Sequence, residues 1–359
     1  GRSVIVRRTA EGHIEDLTPP LFNSRARVHE YGGGDYTVSL GTIYFSNFAD
    51  QRVYRQFPGS EPQTITPAES MRYADGVIDR QRNRMVCVRE DHTVVGREAV
   101  NTLVSLALDG SDQKVIISGN DFYSSPRLSP DGTRLAWLTW NHPNMPWDGT
   151  ELWIGEFATD GSISHAEHIV GGANESIFQP EWSPEGILHY ISDRTGWWNL
   201  YCWRNGNIIA LCKKDAEFGL PQWGFGMSTY GFVNTHRIIC SYTEQGAWRL
   251  ASLDTTSGTL SPIETPYSTI RQVRVTDGQV LFIGGSPSEP VSIIQLDLNT
   301  SRMEVLRRSS KVTVDSGYLS IPQSIEFPTE NGLTAYAFYY SPQNPDYVAL
   351  PGERPPLLS

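Results

Sequence analysis

The sequence predicts an all-β protein, a β-propeller of four-stranded blades with six full blades and a partial one. Three observations favour this fold class. A strand–turn–strand unit recurs along the chain, and the second strands of the predicted sets recur at intervals of roughly 40 to 55 residues. No stretch keeps an i, i+3, i+4, i+7 apolar pattern for three helical turns. Radial repetition also leaves few exposed strand edges, which favours a propeller over an open sheet.

The recurring unit is clearest at residues 125–140. A strand leads into Pro-Asp-Gly at 130–132, where proline presets φ and glycine accepts a positive φ. A β-rich run follows at 135–140. The same arrangement returns at 179–192. A unit of this kind cannot bury its faces alone, so we expect it to stack on copies of itself.

In chain order, a hairpin over residues 3–18 comes first and supplies half of a four-stranded unit. A glycine-rich bend follows at 27–34. No helical pattern comes after that bend, which disfavours a phosphate cradle there. Six sets of short strands, separated by polar and glycine-containing turns, then cover 35–66, 73–117, 125–170, 187–212, 230–264 and 270–306.

Composition limits the class of partner. The 359 residues carry a net charge of −11, which argues against nucleic acid, because phosphate binding needs a basic face. The hydrophobic fraction of 39% is enough for a sizeable core. No apolar run approaches the roughly 18 residues that span a membrane, and no signal peptide is visible. We therefore expect a cytoplasmic protein with neither nucleic acid nor membrane as a partner.

The four cysteines show neither a Cys-x-x-Cys pair nor metal-ligand spacing. An Asn-Gly turn at 205–206 pairs Cys202 with Ile209 across a hairpin, and this register disfavours a bridge between Cys202 and Cys212. Buried free thiols are expected, as in a reducing cytoplasm. We expect no cofactor and no metal site; His165 and His168, three apart in a predicted strand, would lie on opposite faces.

Three motifs resemble the propeller of the prolyl oligopeptidase family of serine peptidases, nearest to its acylaminoacyl-peptidase and aminopeptidase-like branch. They are Arg-Val-His-Glu-Tyr-Gly-Gly-Gly at 27–34, His-Pro-Asn-Met-Pro-Trp-Asp-Gly-Thr-Glu-Leu-Trp at 142–153, and Ser-Asp-Arg-Thr-Gly-Trp-Trp-Asn-Leu-Tyr at 192–201. In that family a seven-bladed propeller caps an α/β-hydrolase domain that carries Ser, Asp and His. The resemblance runs along the whole chain.

The resemblance implies a division of the chain into three parts. Residues 1–20 would be a partial first blade, and 21–310 would be six propeller blades. Residues 311–359 would be a linker and the first strands leading toward an α/β-hydrolase domain that is missing here, with a hairpin at 324–340. The His-Gly-Gly-Pro oxyanion-hole segment of the family would be expected just past Ser359.

No catalytic residue is expected within the chain itself. A hydrolase of this type needs a G-x-S-x-G elbow, and the nearest sequence, Gly-Met-Ser-Thr-Tyr at 226–230, ends in tyrosine with no helix signal after it. The resemblance therefore implies a non-catalytic propeller that caps the active site of a serine peptidase and restricts access to short peptides. Its partners would be its own hydrolase domain and short peptide substrates.

Six residues are candidates for controlling substrate access. The loop at 142–148 is long and rigidified by two prolines, so it could face a cavity shared with the catalytic domain; packing against a neighbouring blade is the alternative. The segment at 89–92 could contact a peptide terminus or be a solvated loop. The candidates are His142, Asn144, Trp147, Asp148, Arg89 and Glu90.

Other functions fit less well. Dipeptidyl-peptidase relatives hold the substrate amine with adjacent glutamates, and this sequence has no Glu-Glu pair. Sialidase Asp boxes need glycine two residues after the aspartate, whereas Gly132 follows Asp131 directly. A carboxylate pair from different blades would serve a glycosidase. A free-standing propeller that binds a protein partner is the main alternative, and an exposed strand edge at the partial blade favours homo-oligomers.

Overall fold

The computed structural model describes residues 1–354, 356 and 357, which form strands, turns and two one-turn 3₁₀ helices. Six antiparallel sheets of four strands each dominate the fold, and within each sheet neighbouring strands are consecutive in the chain. The predicted β-propeller with six full blades is confirmed. The chain divides into two compact units, Gly1–Ser228 with Thr255–Gly258 and Thr229–Asp254 with Thr259–Ser359.

The first unit contains a two-stranded sheet and four blades. The two-stranded sheet is β1 (Val6–Arg8) and β2 (Ile14–Asp16). The first two blades are β3 (Tyr36–Ser39), β4 (Thr42–Ser46), β5 (Val53–Gln56), β6 (Gln63–Thr64), and β7 (Met71–Asp79), β8 (Arg84–Asp91), β9 (Val100–Ala107), β10 (Gln113–Ile117). The next two are β11 (Phe122–Leu128), β12 (Arg134–Trp140), β13 (Glu151–Phe157), β14 (Ile163–Gly171), and β15 (Ile177–Trp182), β16 (Leu188–Ser192), β17 (Asn199–Arg204), β18 (Asn207–Ala210).

The second unit contains two blades and a C-terminal hairpin. The blades are β19 (Tyr230–Asn234), β20 (Arg237–Glu244), β21 (Ala247–Asp254), β22 (Leu260–Ile263), and β23 (Thr269–Thr276), β24 (Gln279–Ser286), β25 (Glu289–Asp297), β26 (Met303–Arg308). The hairpin is β27 (Gln323–Pro328) and β28 (Thr334–Tyr339), with 3₁₀ turns at Ser316–Tyr318 and Glu330–Gly332. Residues 355, 358 and 359 of the predicted C-terminal part lie outside the described residues.

The strand–turn–strand unit at 125–140 is confirmed, because it corresponds to the end of β11, a tight turn and β12. The Asp131 carboxylate accepts hydrogen bonds from the Ser129 hydroxyl (2.6 Å) and the Thr133 amide (3.1 Å). These bonds within the turn stabilise its conformation. Leu128 then pairs with Leu135 across the hairpin. This local network explains why a short polar motif punctuates the blades.

Successive blades bury their sheet faces against one another within each unit. In the first unit, Val88 of β8 and Leu103 of β9 share a buried cluster with Trp137 of β12. In the second unit, Ile239 of β20 packs in one cluster with Phe282 of β24. Such residues are essentially fully buried, and each large side chain contributes on the order of 2 kcal/mol of burial free energy. The stacking expected from the repeat is therefore present.

The N-terminal hairpin and the cysteine register are also as predicted. Val6 pairs with Asp16 in the two-stranded sheet, and Ile5 packs in one cluster with Ile43 and Phe45 of the first blade. Cys202 lies opposite Ile209, and all four cysteines are free thiols. Among the described residues, no helix has the length and apolar character needed to cross a bilayer.

Candidate functional site

A cavity of about 620 Å³ opens in the first unit. Five segments line it, and all of them are loops or strand ends: 29–32, 90–101, 120–122, 140–147 and 222–225. Its wall combines aromatic rings, carboxylates and imidazoles. This mixture of apolar surface and a few polar groups is typical of small-ligand sites, so we take the cavity as the candidate functional site.

The bend at 27–34 forms one wall because its backbone turns tightly. His29 and Glu30 have positive φ angles of 53° and 62°, and the Gly32 amide donates to the Val28 carbonyl at 3.0 Å. Gly33 makes a backbone bridge with Phe225. The glycine run therefore lets segment 222–225 approach the bend, which is a packing role different from a phosphate cradle.

Close approach at Gly33 predicts a large effect of adding one methyl group. Gly33 has φ +87°, and a Cβ there would lie 2.5 Å from the carbonyl oxygen of Phe225. Gly59, with φ +72° and no atom within 4 Å of its Cβ position, is the matched control. Gly33→Ala should lower the apparent free energy of unfolding by about 2 kcal/mol more than Gly59→Ala, measured by urea denaturation. Equal losses in the two variants would contradict the close contact.

A carboxylate cluster forms the acidic side of the cavity. Glu90, only 5% exposed, accepts the His29 amide at 2.6 Å and contacts His92 Nε2 at 3.0 Å. Arg72 lies 3.5 Å from Glu90 and 2.6 Å from Glu30. The hydrogen bond from Arg72 holds the pKa of Glu30 below its usual value. Two glutamates that are far apart in sequence thus share one arginine in this cluster.

His29 lies among aromatic rings at the inner side of the cavity. Its ring centroid is 5.2 Å from Phe122, 5.5 Å from Trp140 and 4.8 Å from Phe225. Burial lowers the pKa of His29 to about 4, against a smaller opposing effect of Asn101. The imidazole is therefore neutral at pH 7 and offers a hydrogen-bonding group without charge.

The loop at 142–148 is held by hydrogen bonds to the segment just before β15. The Asn144 side-chain amide donates to the Ala173 carbonyl at 2.9 Å, and the Ser176 hydroxyl donates to the Pro146 carbonyl at 2.9 Å. The His142–Pro143 peptide is cis. His142 Nε2 lies 3.4 Å from a carboxylate oxygen of Glu98, which belongs to the 90–101 segment. These contacts fix the loop as a wall of the cavity.

Three rings from separate segments meet at the cavity wall, and we call them the aromatic trio: Tyr31, Trp147 and Trp223. The rings of Trp147 and Trp223 lie 4.4 Å apart between centroids at an interplanar angle of 42°. Tyr31 lies 5.1 Å from Trp223 at 67°. Tyr31 is 62% exposed and Trp223 is 50% exposed, so the trio presents apolar surface to the cavity.

Four of the six candidate residues line this cavity: Glu90, His142, Asn144 and Trp147. Arg89 and Asp148 are not among its lining residues. The Asp148 carboxylate instead accepts the Met145 amide at 2.9 Å and closes the loop. Sequence reasoning did not single out His29, Tyr31, Trp223 or Phe225 as site residues. The motif at 27–34 was the available signal for the first two, whereas 222–225 belongs to no repeat.

Ser228, the serine of the sequence nearest to a G-x-S-x-G motif, is buried. Ser228 is 2% exposed, and its hydroxyl accepts a hydrogen bond from the Gln179 side-chain amide at 3.0 Å. The nucleophile of a hydrolase needs an exposed hydroxyl on a strained turn beside a base. The geometry at Ser228 therefore gives no support to a nucleophilic role, and the absence of catalytic residues from the chain stays a prediction.

The comparisons point to one group of proteins. No protein-family model and no curated protein sequence matches the chain. A mutant of puromycin hydrolase complexed with PGG matches 99% of this chain at 32% identity with a TM-score of 0.91. A puromycin-hydrolyzing peptidase of Mycobacterium tuberculosis matches 99% at 33% identity with a TM-score of 0.92. This chain spans 57% of the length of each of those chains.

A more distant likeness concerns the fold alone. Prolyl oligopeptidase B from Galerina marginata, bound to a 25mer macrocyclization substrate, matches 91% of this chain at 11% identity with a TM-score of 0.68. The match covers 49% of that chain. At this sequence identity, the match shows the shared propeller architecture and gives no information about the residues of the cavity.

Proposed function

Because this chain is a β-propeller domain of the prolyl oligopeptidase family, we propose that it covers the active centre of a serine peptidase and restricts access to short peptides. The Ser, Asp and His of that peptidase would belong to the part of the relatives' length that this chain does not span. The propeller would contribute substrate selection and no covalent step. The match to puromycin hydrolase along 99% of the chain supports this assignment.

One observation carries the proposal, namely the cavity of about 620 Å³ in the first unit. Pockets for small ligands are on the order of 300–1,000 Å³, so the volume suits a short peptide or a peptide-like amide. The loop at 142–148 and the bend at 27–34 are held by hydrogen bonds. A firm wall would exclude longer chains by size, because little of it can yield without breaking those bonds.

The electrostatics favour ligands with an amine. Glu30, Glu90, Glu98 and Asp121 line the cavity; Arg72 pairs with the first two, and Arg27 lies 3.4 Å from Glu30. His29 is neutral at pH 7. A protonated amine would therefore enter a region of excess negative charge. Puromycin is an aminoacyl nucleoside with a free α-amine and aromatic groups, so its chemistry fits both the carboxylates and the rings.

Calorimetric titration of the purified chain tests the proposal. We expect saturable binding of puromycin and of a tripeptide such as Pro-Gly-Gly, and no binding of an unstructured peptide of about 20 residues, because the cavity is too small for the longer chain. N-acetylated tripeptide should bind more weakly, since acetylation removes the charge. Binding of the long peptide as strong as that of the tripeptide would contradict size restriction.

An amidase assay tests whether the chain itself holds catalytic residues. The chain alone should not turn over aminoacyl-nitroanilides, and the same reading frame continued beyond Ser359 should supply His-Gly-Gly-Pro and G-x-S-x-G segments. Turnover by the purified chain would show that it holds catalytic residues. A reading frame that stops near Ser359 would instead favour a free-standing propeller with a protein partner.

A further inference from the structure

The aromatic trio calls for an explanation beyond size restriction. Burying a large aromatic side chain is strongly favourable in water, yet Tyr31 and Trp223 leave 62% and 50% of their surface exposed in one place. Contiguous exposed aromatic surface marks binding sites. The third ring, Trp147, is partly buried against Trp223, so the exposed surface forms part of a concave wall.

Hydrogen bonds hold the backbone segments that carry the trio. The Phe225 amide donates to the Gly32 carbonyl at 2.9 Å, which ties the segment that carries Trp223 to the bend that carries Tyr31. The Gln222 side-chain amide donates to the Ser124 hydroxyl at 2.9 Å. The Pro146 carbonyl beside Trp147 accepts the Ser176 hydroxyl. Rigid aromatic side chains bind with little loss of conformational entropy.

The neighbouring charges indicate which ligand group the rings receive. Glu30, next to Tyr31 in sequence, already bonds Arg72 and lies 3.4 Å from Arg27. Its charge is therefore compensated by two arginines, which makes a bare ammonium a poorer occupant of the rings than a planar ring. Aromatic pairs prefer offset or edge-to-face contacts at centroid distances of roughly 4.5–7 Å, and the tilted arrangement leaves ring faces available for such contacts.

We propose that Tyr31, Trp147 and Trp223 form a stacking subsite that selects ligands with a planar aromatic ring. The subsite rests on the proposed function, since it deepens the substrate preference of the same cavity. The ring could be an aromatic amino-acid side chain or a nucleobase, and both sources share the chemistry of a flat π-system. Ligands without a ring would use only the polar part of the cavity.

Calorimetry on the purified chain tests the subsite with four ligands: puromycin, its aminonucleoside that lacks the aminoacyl group, Phe-Gly-Gly and Pro-Gly-Gly. Trp223→Ala should weaken binding of ring-bearing ligands about tenfold or more, the range measured for loss of one stacking partner. Binding of Pro-Gly-Gly should stay within about twofold of the unaltered chain. Trp223→Phe should restore most of the lost affinity, because it keeps a ring.

Two comparisons make the outcome decisive. Trp197→Ala removes a tryptophan that is 39% exposed and outside the cavity lining, so it should bind every ligand normally. Tyr31→Ala, which removes a trio ring that is 62% exposed, provides a second trio variant if Trp223→Ala does not fold. A Trp223→Ala chain that binds puromycin and Phe-Gly-Gly unchanged overturns the subsite and leaves the proposed function standing. An unaltered chain that binds none of the four ligands overturns both.

The same experiment distinguishes a nucleobase from an aromatic amino-acid side chain as the group that the trio binds. If the aminonucleoside loses affinity in Trp223→Ala and Phe-Gly-Gly does not, the trio receives a nucleobase. The opposite pattern assigns the trio to an aromatic side chain. Equal losses mean that either ring is accepted, and each of these three results supports stacking.

Discussion

Replacing Glu90 by alanine is expected to lower the apparent free energy of unfolding by about 3 kcal/mol and to abolish ligand binding in the cavity. The Glu90 carboxylate accepts the backbone amide of His29 at 2.6 Å and is nearly buried. Its removal leaves Arg72 with one carboxylate partner fewer and the amide without an acceptor. Breaking a buried, hydrogen-bonded charge by removing one partner costs about 3–5 kcal/mol; the partial exposure of Arg72 places this variant at the lower end.

Glu90→Gln separates the charge from the hydrogen bond. Glutamine keeps an oxygen that can accept the His29 amide, so its stability loss should be closer to 1 kcal/mol. The negative charge is lost in both variants, and binding of amine-bearing ligands should therefore fall by at least tenfold in both. Urea denaturation and calorimetric titration measure the two effects on the same samples.

Glu185→Ala is the matched control, because Glu185 is an exposed carboxylate in the turn before β16 and outside the cavity lining. It should change stability by less than about 0.5 kcal/mol and leave binding intact. If Glu90→Gln bound puromycin and tripeptides like the unaltered chain, Glu90 would be a structural residue only, and the electrostatic part of the proposed function would fail.

The blades could be predicted from sequence because their signals are local. The Ser129, Asp131 and Thr133 network sits within one turn, so a short motif specifies it. Strand alternation likewise acts over a few residues. The register of Cys202 against Ile209 followed from the Asn-Gly turn between them. Because the same weak local signals recur along the chain, together they were enough to predict the fold.

The cavity could not be assembled in the same way, since its parts meet only in space. Glu30 and Glu90 meet on Arg72 although 60 positions separate them. The absence of an adjacent glutamate pair therefore did not mean the absence of a carboxylate pair. Trp223 lies in an irregular stretch between β18 and β19, where neither period nor motif marks it.

Strand geometry could have separated two of the candidates in advance. Arg89 and Glu90 are consecutive in β8, so their side chains point to opposite faces of the sheet. The alternation favours one of the two as a lining residue, and the structure places Glu90 at the cavity and Arg89 outside its lining. Asp148 had no such signal, because an aspartate that closes its own loop through the Met145 amide looks the same in sequence as one that faces a ligand.

Acidification from pH 8 to pH 5 is expected to destabilise the chain through His29 and His189, by about 2 kcal/mol for each. Burial lowers the pKa of both imidazoles to about 4. The unfolded chain binds a proton at each histidine below about pH 6.5, whereas the folded chain does not until about pH 4. Stability is therefore fully present above pH 6.5 and is lost as the pH falls toward 4.

Carboxylates act outside this window or with the opposite sign. Burial raises the pKa of Asp35, Asp193 and Glu217, so protonation of these groups favours the folded chain as the pH falls. Carboxylates with a lowered pKa, such as Glu30, lose their contribution only near and below the usual carboxylate range. The change in the free energy of unfolding with pH combines the contributions of these carboxylates and of the two histidines. Histidine variants are therefore needed to isolate the histidine contribution.

His189→Gln and His29→Gln should each remove about 2 kcal/mol from the difference between the unfolding free energies at pH 8 and pH 5, measured by urea denaturation. His13→Gln, at an exposed position, should leave that difference unchanged. His189 is 1% exposed and lies in β16, outside the cavity lining, so its variant should lose only the His189 part of the pH dependence while still binding tripeptides at pH 7. A pH difference that is the same in all three variants would mean that neither buried imidazole stays neutral in the folded chain, and the uncharged character assigned to His29 in the cavity would have to be abandoned.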